Sequence, residues 1–212
     1  MPLHLLQEFL PGVRLALWHL TEGSDVLRAA FPVEDAALCD RAVAGLTSEK
    51  RRQERLAARL LLHRLGRADE VVYAPSGKPE FADGSAYLSI SHTRDWVAVV
   101  VAHCPIGLDV ERWGKRALRV AGRFLSAEEQ RLLPPDRAEE VATLLWSAKE
   151  SLFKVSGRER VDFARHLRIV PFQYVRSSEV NHLSATVWHE GKEQSYRVYY
   201  LSYPDFVLTL AV

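Results

Sequence analysis

The stretch Leu145-Trp-Ser-Ala-Lys-Glu-Ser-Leu-Phe-Lys-Val-Ser-Gly157 places charged residues inside an apolar pattern. The apolar positions recur at the spacing of one helix face, and they are Val141, Leu145, Ala148, Leu152 and Val155. A stripe with this period predicts a helix that packs one face on a core. Beside it, Trp146, Glu150 and Lys154 follow at four-residue spacing, so one carboxylate lies between an aromatic ring and a cation. Such a carboxylate is either structural or catalytic.

The composition is that of an ordinary globular protein. The chain has 212 residues, of which 48% are hydrophobic and 26% are charged, which is enough core material for one or two domains. The formal net charge is +1, so there is no overall electrostatic reason to expect nucleic acid as a partner.

Features that report the compartment point to the cytoplasm. Cys39 and Cys104 match no metal-ligand spacing and are too few for a disulfide framework, which favours a reducing environment. Residues 1–10 lack the basic start and clean apolar core of a signal peptide. The longest apolar run, 97–102, is too short to span a bilayer. We therefore expect a cytoplasmic protein without a membrane partner.

Turn residues and apolar periodicity divide the chain into predicted elements. Strands are predicted at 13–20, 71–74, 87–91, 95–102, 106–111, 184–189, 194–201 and 206–212. Helices are predicted at 34–44, at 48–65 with Thr47 or Ser48 as its cap, in a short segment capped by Ser126 and Glu129, and from Pro134-Pro135-Asp136 to Gly157. His92 is expected at the bend between strands 87–91 and 95–102.

Asp109 and Glu111 are two residues apart on the predicted strand 106–111. Both side chains therefore leave the same face of the strand, while Leu108 and Val110 point to the other. Two neighbouring carboxylates repel each other unless a positive charge lies between them, and with a third oxygen ligand they suit Mg²⁺. The alternative is a strand edge that faces solvent. Gly107 would let another backbone or a ligand approach closely.

Two groups of basic residues have helical spacing. On the helix 48–65, one face carries Arg52, Arg55, Arg59 and His63. After the strand 106–111, a second series consists of Arg112, Lys115, Arg116, Arg119 and Arg123. By itself the first group is most simply a solvated basic face, whereas the second is either a docking surface for an acidic partner or a solvated face.

A faint internal repeat relates the two parts of the chain. Asp95-Trp96-Val97-Ala98-Val99-Val100 resembles Asp205-Phe206-Val207-Leu208-Thr209-Leu210, and alignment of the long helices places Arg59 opposite Glu150. The repeat predicts an α+β fold of two halves, 1–105 and 106–212, related by a pseudo-two-fold axis. Each half would be a small antiparallel sheet packed on a long helix, with the active site in the cleft between them.

Several short motifs together resemble the 4′-phosphopantetheinyl transferases. They are Gly107-Leu108-Asp109-Val110-Glu111, Phe124-Leu125-Ser126-x-x-Glu129 and Trp146-x-x-Lys149-Glu150-x-x-x-Lys154. The Ile90-Ser91-His92 segment and the Gly77-Lys78-Pro79 turn are similar to the larger, two-halved, single-chain type of that superfamily, the surfactin-synthetase-activating-like enzymes. The first seventy residues match only in general character.

The resemblance implies an enzyme and a set of site residues. The enzyme would transfer the 4′-phosphopantetheine group of coenzyme A to a serine of an apo acyl or peptidyl carrier protein and release 3′,5′-ADP. Asp109, Glu111 and Glu150 would hold Mg²⁺, or Mn²⁺ in its place, on the pyrophosphate. The residues that would contact coenzyme A are Lys154, Lys149, Lys78, Ser91 and His92, with one of Arg52, Arg55 and Arg59.

The attacking serine needs a general base, for which we expect Glu150, or else a water held by Glu111. The apolar surroundings of Glu150 would raise its pKa and the nearby cations would lower it, so the sequence leaves the balance open. Two other functions are compatible with these residues, a Mg²⁺-dependent phosphohydrolase or nuclease and a non-catalytic module that binds coenzyme A or a carrier. A monomer is expected, because two halves complete the cleft.

Overall fold

The computed structural model describes residues 3–212. By contact density the chain divides into two compact units, the first ending at Cys104 and the second beginning at Pro105. Both units contain helices and antiparallel strands, so the predicted α+β class is confirmed. The pseudo-two-fold relation and the cleft between the halves stay predictions.

The first unit contains six strands and three α-helices among its described residues. The strands are β1 (Leu3–Leu10), β2 (Val13–His19), β3 (Val71–Tyr73), β4 (Pro79–Phe81), β5 (Tyr87–Thr93) and β6 (Trp96–Ala102). The helices are α1 (Ser24–Ala29), α2 (Ala36–Val43) and α3 (Glu49–Arg64), with a 3₁₀ turn at Val33–Asp35. A four-stranded antiparallel sheet has the order β1-β2-β6-β5, and β3 and β4 form a separate ribbon.

Helix α3 organises the core of this unit. The Ser48 hydroxyl accepts a hydrogen bond from the backbone of Arg51, and Gly66, with φ of +70°, follows the helix end. Leu56, Leu60 and Leu61 are buried as their spacing predicts, and this face packs on β2 and β6. The opposite edge of the helix therefore remains available for its arginines.

The second unit contains five strands and five helices. The strands are β7 (Gly107–Arg112), β8 (Leu167–Ile169), β9 (Asn181–His189), β10 (Lys192–Ser202) and β11 (Phe206–Ala211). The helices are α4 (Lys115–Arg119), α5 (Ala121–Phe124), α6 (Ala127–Gln130), α7 (Ala138–Ser156) and α8 (Phe163–His166). The strands form one antiparallel sheet in the order β7-β11-β10-β9-β8, and α7 lies against β7 and β11.

The long helix α7 has the buried stripe that the sequence predicts. Val141, Leu145, Ala148, Leu152 and Val155 are all buried in the core of this unit. Gly157 ends the helix in the left-handed region, with φ of +61°. The helix therefore presents its other residues, including Glu150, beside the stripe.

Other expectations need correction. His92 lies inside β5, opposite Val97, and the bend falls at Arg94 and Asp95. Strands β1 and β4 were not predicted, and β4 begins at Pro79, the last residue of the predicted turn. Arg112, the first residue of the predicted basic series, is the last residue of β7, and the others lie on two short helices, α4 and α5, which are separated at Val120. Among residues 3–212, no helix is long and apolar enough to cross a membrane.

Candidate functional site

Strand β7 and helix α7 approach each other closely at Gly107. A methyl group at this position would lie 1.9 Å from the carbonyl oxygen of Ser151 and 2.7 Å from the amide nitrogen of Val155. Only hydrogen fits there, so glycine sets the distance between strand and helix. The side chains of the next residues of β7 are thereby brought beside those of α7.

Asp109 and Lys154 join the two elements. The Lys154 ammonium donates a 2.8 Å hydrogen bond to Oδ1 of Asp109 and another of 2.8 Å to the carbonyl of Leu108. The Asp109 side chain is 7% exposed, so this ion pair is largely shielded from water. Charge-assisted bonds of this kind are stronger than neutral ones, and they hold the carboxylate in one orientation.

Glu111 is held by a tryptophan of α7. The indole Nε1 of Trp146 donates a 2.9 Å hydrogen bond to Oε1 of Glu111. The Trp146 ring meets the ring of Phe124 edge to face at 5.0 Å and stacks on Phe163 at 5.7 Å. Trp146 therefore both packs between two aromatic rings and donates a hydrogen bond to a carboxylate of the site.

Glu150 lies on α7 between Trp146 and Lys154, where electrostatics favour its protonated form. Burial raises the pKa of Glu150 to about 7, with Asp109 and then Glu111 adding repulsion and Lys154 opposing them. Burial and the charge of Asp109 also raise the pKa of Glu111. The three carboxylates predicted from the sequence thus lie close enough to influence one another. In the absence of a bound cation, burial and carboxylate repulsion raise the pKa values of Glu111 and Glu150 by more than Lys154 lowers them.

The oxygen donors have the chemistry that suits a hard divalent cation, because such a charge would relieve their mutual repulsion. Among the described residues 3–212, however, no group of three or more histidine, cysteine, aspartate and glutamate side chains is arranged so that it could hold a metal ion. Instead, the positive charge beside Asp109 is the ammonium of Lys154. The role of the three carboxylates as cation ligands therefore stays a prediction, which rests on their chemistry and their mutual repulsion and not on a preformed site.

Lys149 has partners outside this group, and its expected contact with phosphate stays a prediction. Its side chain is fully buried, and its ammonium donates to Oε2 of Glu129 at 2.6 Å and to the carbonyls of Phe124 and Phe163 at 2.8 Å each. These three acceptors match the three protons that a lysine ammonium offers. The sequence already indicated that Lys149 is buried, because residue 149 follows Leu145 by four positions and so lies on the buried face of α7.

The first unit has a cavity of ≈ 360 Å³ beside α3. Its lining residues are Leu46, Arg51, Glu54, Arg55, Ala58, Tyr73, Gly77, Pro79, Ile90 and His92. The Arg55 guanidinium lies 4.2 Å from the centre of the Tyr73 ring, and His92 Nδ1 lies 3.4 Å from Oε1 of Glu54. Two arginines, an aromatic ring and a histidine make this cavity suitable for an anionic, partly aromatic ligand.

Not every predicted cation of this unit lines the cavity. Arg52 bonds Glu49 at 3.0 Å and the carbonyl of Leu46, while Arg59 donates to the carbonyls of Asp69 and Val71 at 3.2 Å each. These partners account for the positions of both arginines. Of the three candidates for the phosphate contact, Arg55 lines the cavity, and the contact itself stays a prediction.

The remaining two predicted residues lie near the cavity. Lys78 is half-buried between the lining residues Gly77 and Pro79, and Ser91 is buried on β5. Arg51, which was not among the predicted residues, does line the cavity. The sequence feature that could have identified Arg51 is its four-residue spacing from Arg55, which places both guanidinium groups on one edge of α3.

Comparison with known proteins follows the same division of the chain. A family model described as the 4′-phosphopantetheinyl transferase superfamily matches residues 105–211, which is nearly the whole second unit and half of the chain. The chain belongs to the 4′-phosphopantetheinyl transferase superfamily. The match includes β7 and α7, so the superfamily assignment and the carboxylate group fall on the same elements.

Curated members of the superfamily are similar over part of the chain. The 4′-phosphopantetheinyl transferase psf-1 of Bacillus pumilus is 39% identical over 87 residues, 39% of this chain and 37% of its own length. The transferase Sfp of Bacillus subtilis is 38% identical over 86 residues, 39% of this chain and 38% of its own. The transferase AcpT of Salmonella typhi is 30% identical over 143 residues, 62% of this chain and 73% of its own. The chain thus matches less than two fifths of the length of the first two relatives.

Proposed function

We propose that this chain is a 4′-phosphopantetheinyl transferase that moves the phosphopantetheine group of coenzyme A to a serine of an apo acyl or peptidyl carrier protein. The observation that carries the proposal is the group formed by Asp109, Glu111, Glu150 and Lys154 on β7 and α7, inside the segment that matches the superfamily. Relatives whose names state this activity support it.

Asp109, Glu111 and Glu150 are the residues that would hold Mg²⁺ or Mn²⁺. When bound, the cation would screen the pyrophosphate of coenzyme A and polarise the phosphorus under attack. The support is the repulsion among the three carboxylates, which is expressed in the raised pKa values of Glu111 and Glu150 and which a cation would relieve.

The chain's own residues provide the proton transfer and the phosphate contact. Glu150 takes the proton of the carrier serine as the serine oxygen forms a bond to the β-phosphorus of coenzyme A. The bond from that phosphorus to the bridging oxygen breaks, and 3′,5′-ADP leaves with the electron pair. Lys154, paired with Asp109 in the same group, would stabilise the charge that develops on the phosphates. A pKa near 7 in the cation-free site suits Glu150 to receive a proton, and a bound cation would lower that pKa.

The cavity of the first unit is the proposed site for the nucleotide end of coenzyme A. Arg51 and Arg55 offer guanidinium groups to a phosphate, and Tyr73 offers a ring face to the adenine. His92 and the neighbouring Lys78 and Ser91 keep the contacts that the resemblance implies. We also propose a monomeric protein located in the cytoplasm, where the substrates of such an enzyme would be present.

The decisive experiment is incubation of the purified chain with coenzyme A, Mg²⁺ and apo carrier proteins, followed by intact-mass measurement of the carrier. We expect the carrier to gain one phosphopantetheine group, and the Glu150→Gln variant to be slower by about 100-fold or more. Hydrolysis of coenzyme A without modification of the carrier would identify a phosphohydrolase instead. Binding of coenzyme A without either reaction would identify a non-catalytic module.

A further inference from the structure

The buried ammonium of Lys149 holds together three separate segments around α7. It bonds the carbonyl of Phe124 at the end of α5, the carbonyl of Phe163 at the start of α8, and Oε2 of Glu129 in α6. Lys149 is 0% exposed and Glu129 3%. The pair is thus shielded from water, and each partner depends on the other for compensation of its charge.

Glu129 completes this connection. Its Oε2 also accepts from the backbone amide of Ser126, in the capping box of α6, and its Oε1 accepts at 2.8 Å from the amide of Ile169 on β8. A buried polar network whose members are satisfied fixes the segments that it joins. Lys149 and Glu129 together therefore define where the backbone of Phe124 and Phe163 can lie.

The rings of those same two phenylalanines enclose the indole of Trp146. Phe124 meets it edge to face at 5.0 Å, and Phe163 stacks on it at 5.7 Å. The enclosed indole then donates its N–H to Oε1 of Glu111 at 2.9 Å. A continuous series of contacts leads from the ammonium to the carboxylate.

We propose that Lys149 is a positioning residue that sets the orientation of the Glu111 carboxylate through the Phe124–Trp146–Phe163 ring group. Glu111 as a cation ligand rests on the proposed function, whereas the series of contacts does not depend on it. An aromatic ring between two others can rotate only if they move, and their backbone is bonded to a fixed ammonium. Without Lys149 the two rings lose that support, and the Trp146 indole N–H is no longer held in one orientation toward Glu111.

The first test needs no metal. The chain has five tryptophans, so a ¹H–¹⁵N spectrum of the whole protein shows five indole signals, and the signal lost in Trp146→Phe is that of Trp146. In Lys149→Met we expect this signal to shift and its hydrogen exchange to become faster. Because Lys149→Met leaves Glu129 buried with its charge uncompensated, the double variant Lys149→Met/Glu129→Gln is measured beside it. Leu183→Ala removes a buried side chain that makes none of the hydrogen bonds or ring contacts of this series, and it is the control for a general loss of stability in the same core.

The second test measures Mn²⁺ affinity in the presence of coenzyme A by calorimetry. Lys149→Met and Trp146→Phe should each weaken Mn²⁺ binding by about 10-fold, the lower end of what outer partners of a metal ligand contribute. The variant with both changes should bind no more weakly than Trp146→Phe alone, because both act through one contact to Glu111. Leu183→Ala should keep the affinity of the original protein.

An unchanged Trp146 signal in the well-folded Lys149 variants would overturn the inference, as would effects on Mn²⁺ affinity that simply add. If the original protein binds no Mn²⁺ and modifies no carrier, the proposed function fails. The indole signal still decides the inference about Lys149 in that case.

Discussion

Lys154 lies with its ammonium 2.8 Å from Oδ1 of Asp109, although the two residues are 45 positions apart in the chain. The bond connects the last turns of α7 to the edge strand β7, and the second bond to the carbonyl of Leu108 repeats the connection at the backbone. A lysine in this position stabilises the carboxylates of the site before any substrate arrives. Its removal should therefore affect both stability and activity.

The change Lys154→Met keeps most of the side-chain length and removes the charge. We expect the free energy of unfolding to fall by about 1–3 kcal/mol, because a shielded, charge-assisted bond to Asp109 is lost. Urea denaturation with a chelator present measures it. Lys115→Met is the control, since Lys115 faces Glu139 at 3.7 Å with both side chains exposed, and a cost below about 1 kcal/mol is expected. Equal losses in the two variants would contradict the role given to Lys154.

The raised pKa of Glu150 predicts how stability depends on pH without a metal. Its folded-state pKa of about 7 exceeds the ordinary value of 4.5, so the folded protein binds this proton more tightly. That stabilisation is complete below about pH 4.5 and is lost as the pH rises through 7. Glu111, with its raised pKa, contributes in the same direction.

The measurement is urea unfolding between pH 5 and pH 8 in a chelating buffer, compared between the original protein and Glu150→Gln. The variant should lose less stability over this range, because residue 150 no longer titrates. Glu159→Gln, at an exposed position beyond the end of α7, should follow the original curve. A Glu150→Gln curve as steep as the original would show that the glutamate titrates normally.

The cavity of the first unit distinguishes arginines that the sequence alone treats alike. Arg51→Met and Arg55→Met should each raise the Michaelis constant for coenzyme A by about 10-fold, since each removes a guanidinium from the cavity wall. Arg52→Met should leave that constant within about twofold, because its partners are Glu49 and Leu46. Transfer assays at varied coenzyme A concentration give these values. An effect at Arg52 as large as at Arg55 would mean that the ligand binds elsewhere on α3.

The basic series on α4 and α5 remains a predicted docking surface for an acidic carrier. Arg119 and Arg123 are exposed, and their replacement by glutamate should raise the Michaelis constant for the carrier far more than that for coenzyme A. The carrier effect should weaken in high salt. Arg41→Glu, on the exposed face of α2, provides the charge-matched control. Equal changes for both substrates would exclude this surface.

Features that depend on a few neighbouring residues could be predicted from the sequence. The left-handed stop at Gly157 and the Ser126–Glu129 capping box need only local geometry. The alternation of side chains along a strand likewise predicted that Asp109 and Glu111 share one face of β7, and both contact residues of α7.

Other features depend on partners distant in the chain. Strand β1, Leu3–Leu10, has no clean alternation of apolar residues, and it is a strand because it pairs with β2. The role of Arg59 depends on where the loop after α3 places the carbonyls of Asp69 and Val71. Lys149 is a different case, since its position four residues after Leu145 on α7 already indicated a buried side chain.

Gly107 determines which mutations the protein tolerates near the site. Because any β-carbon there would overlap the backbone of Ser151, every missense change in this codon inserts an atom between strand and helix. A carboxylate of the site can be exchanged for its amide with its shape preserved, but Gly107 has no conservative replacement. The position least tolerant of mutation near this site is therefore one with no functional group.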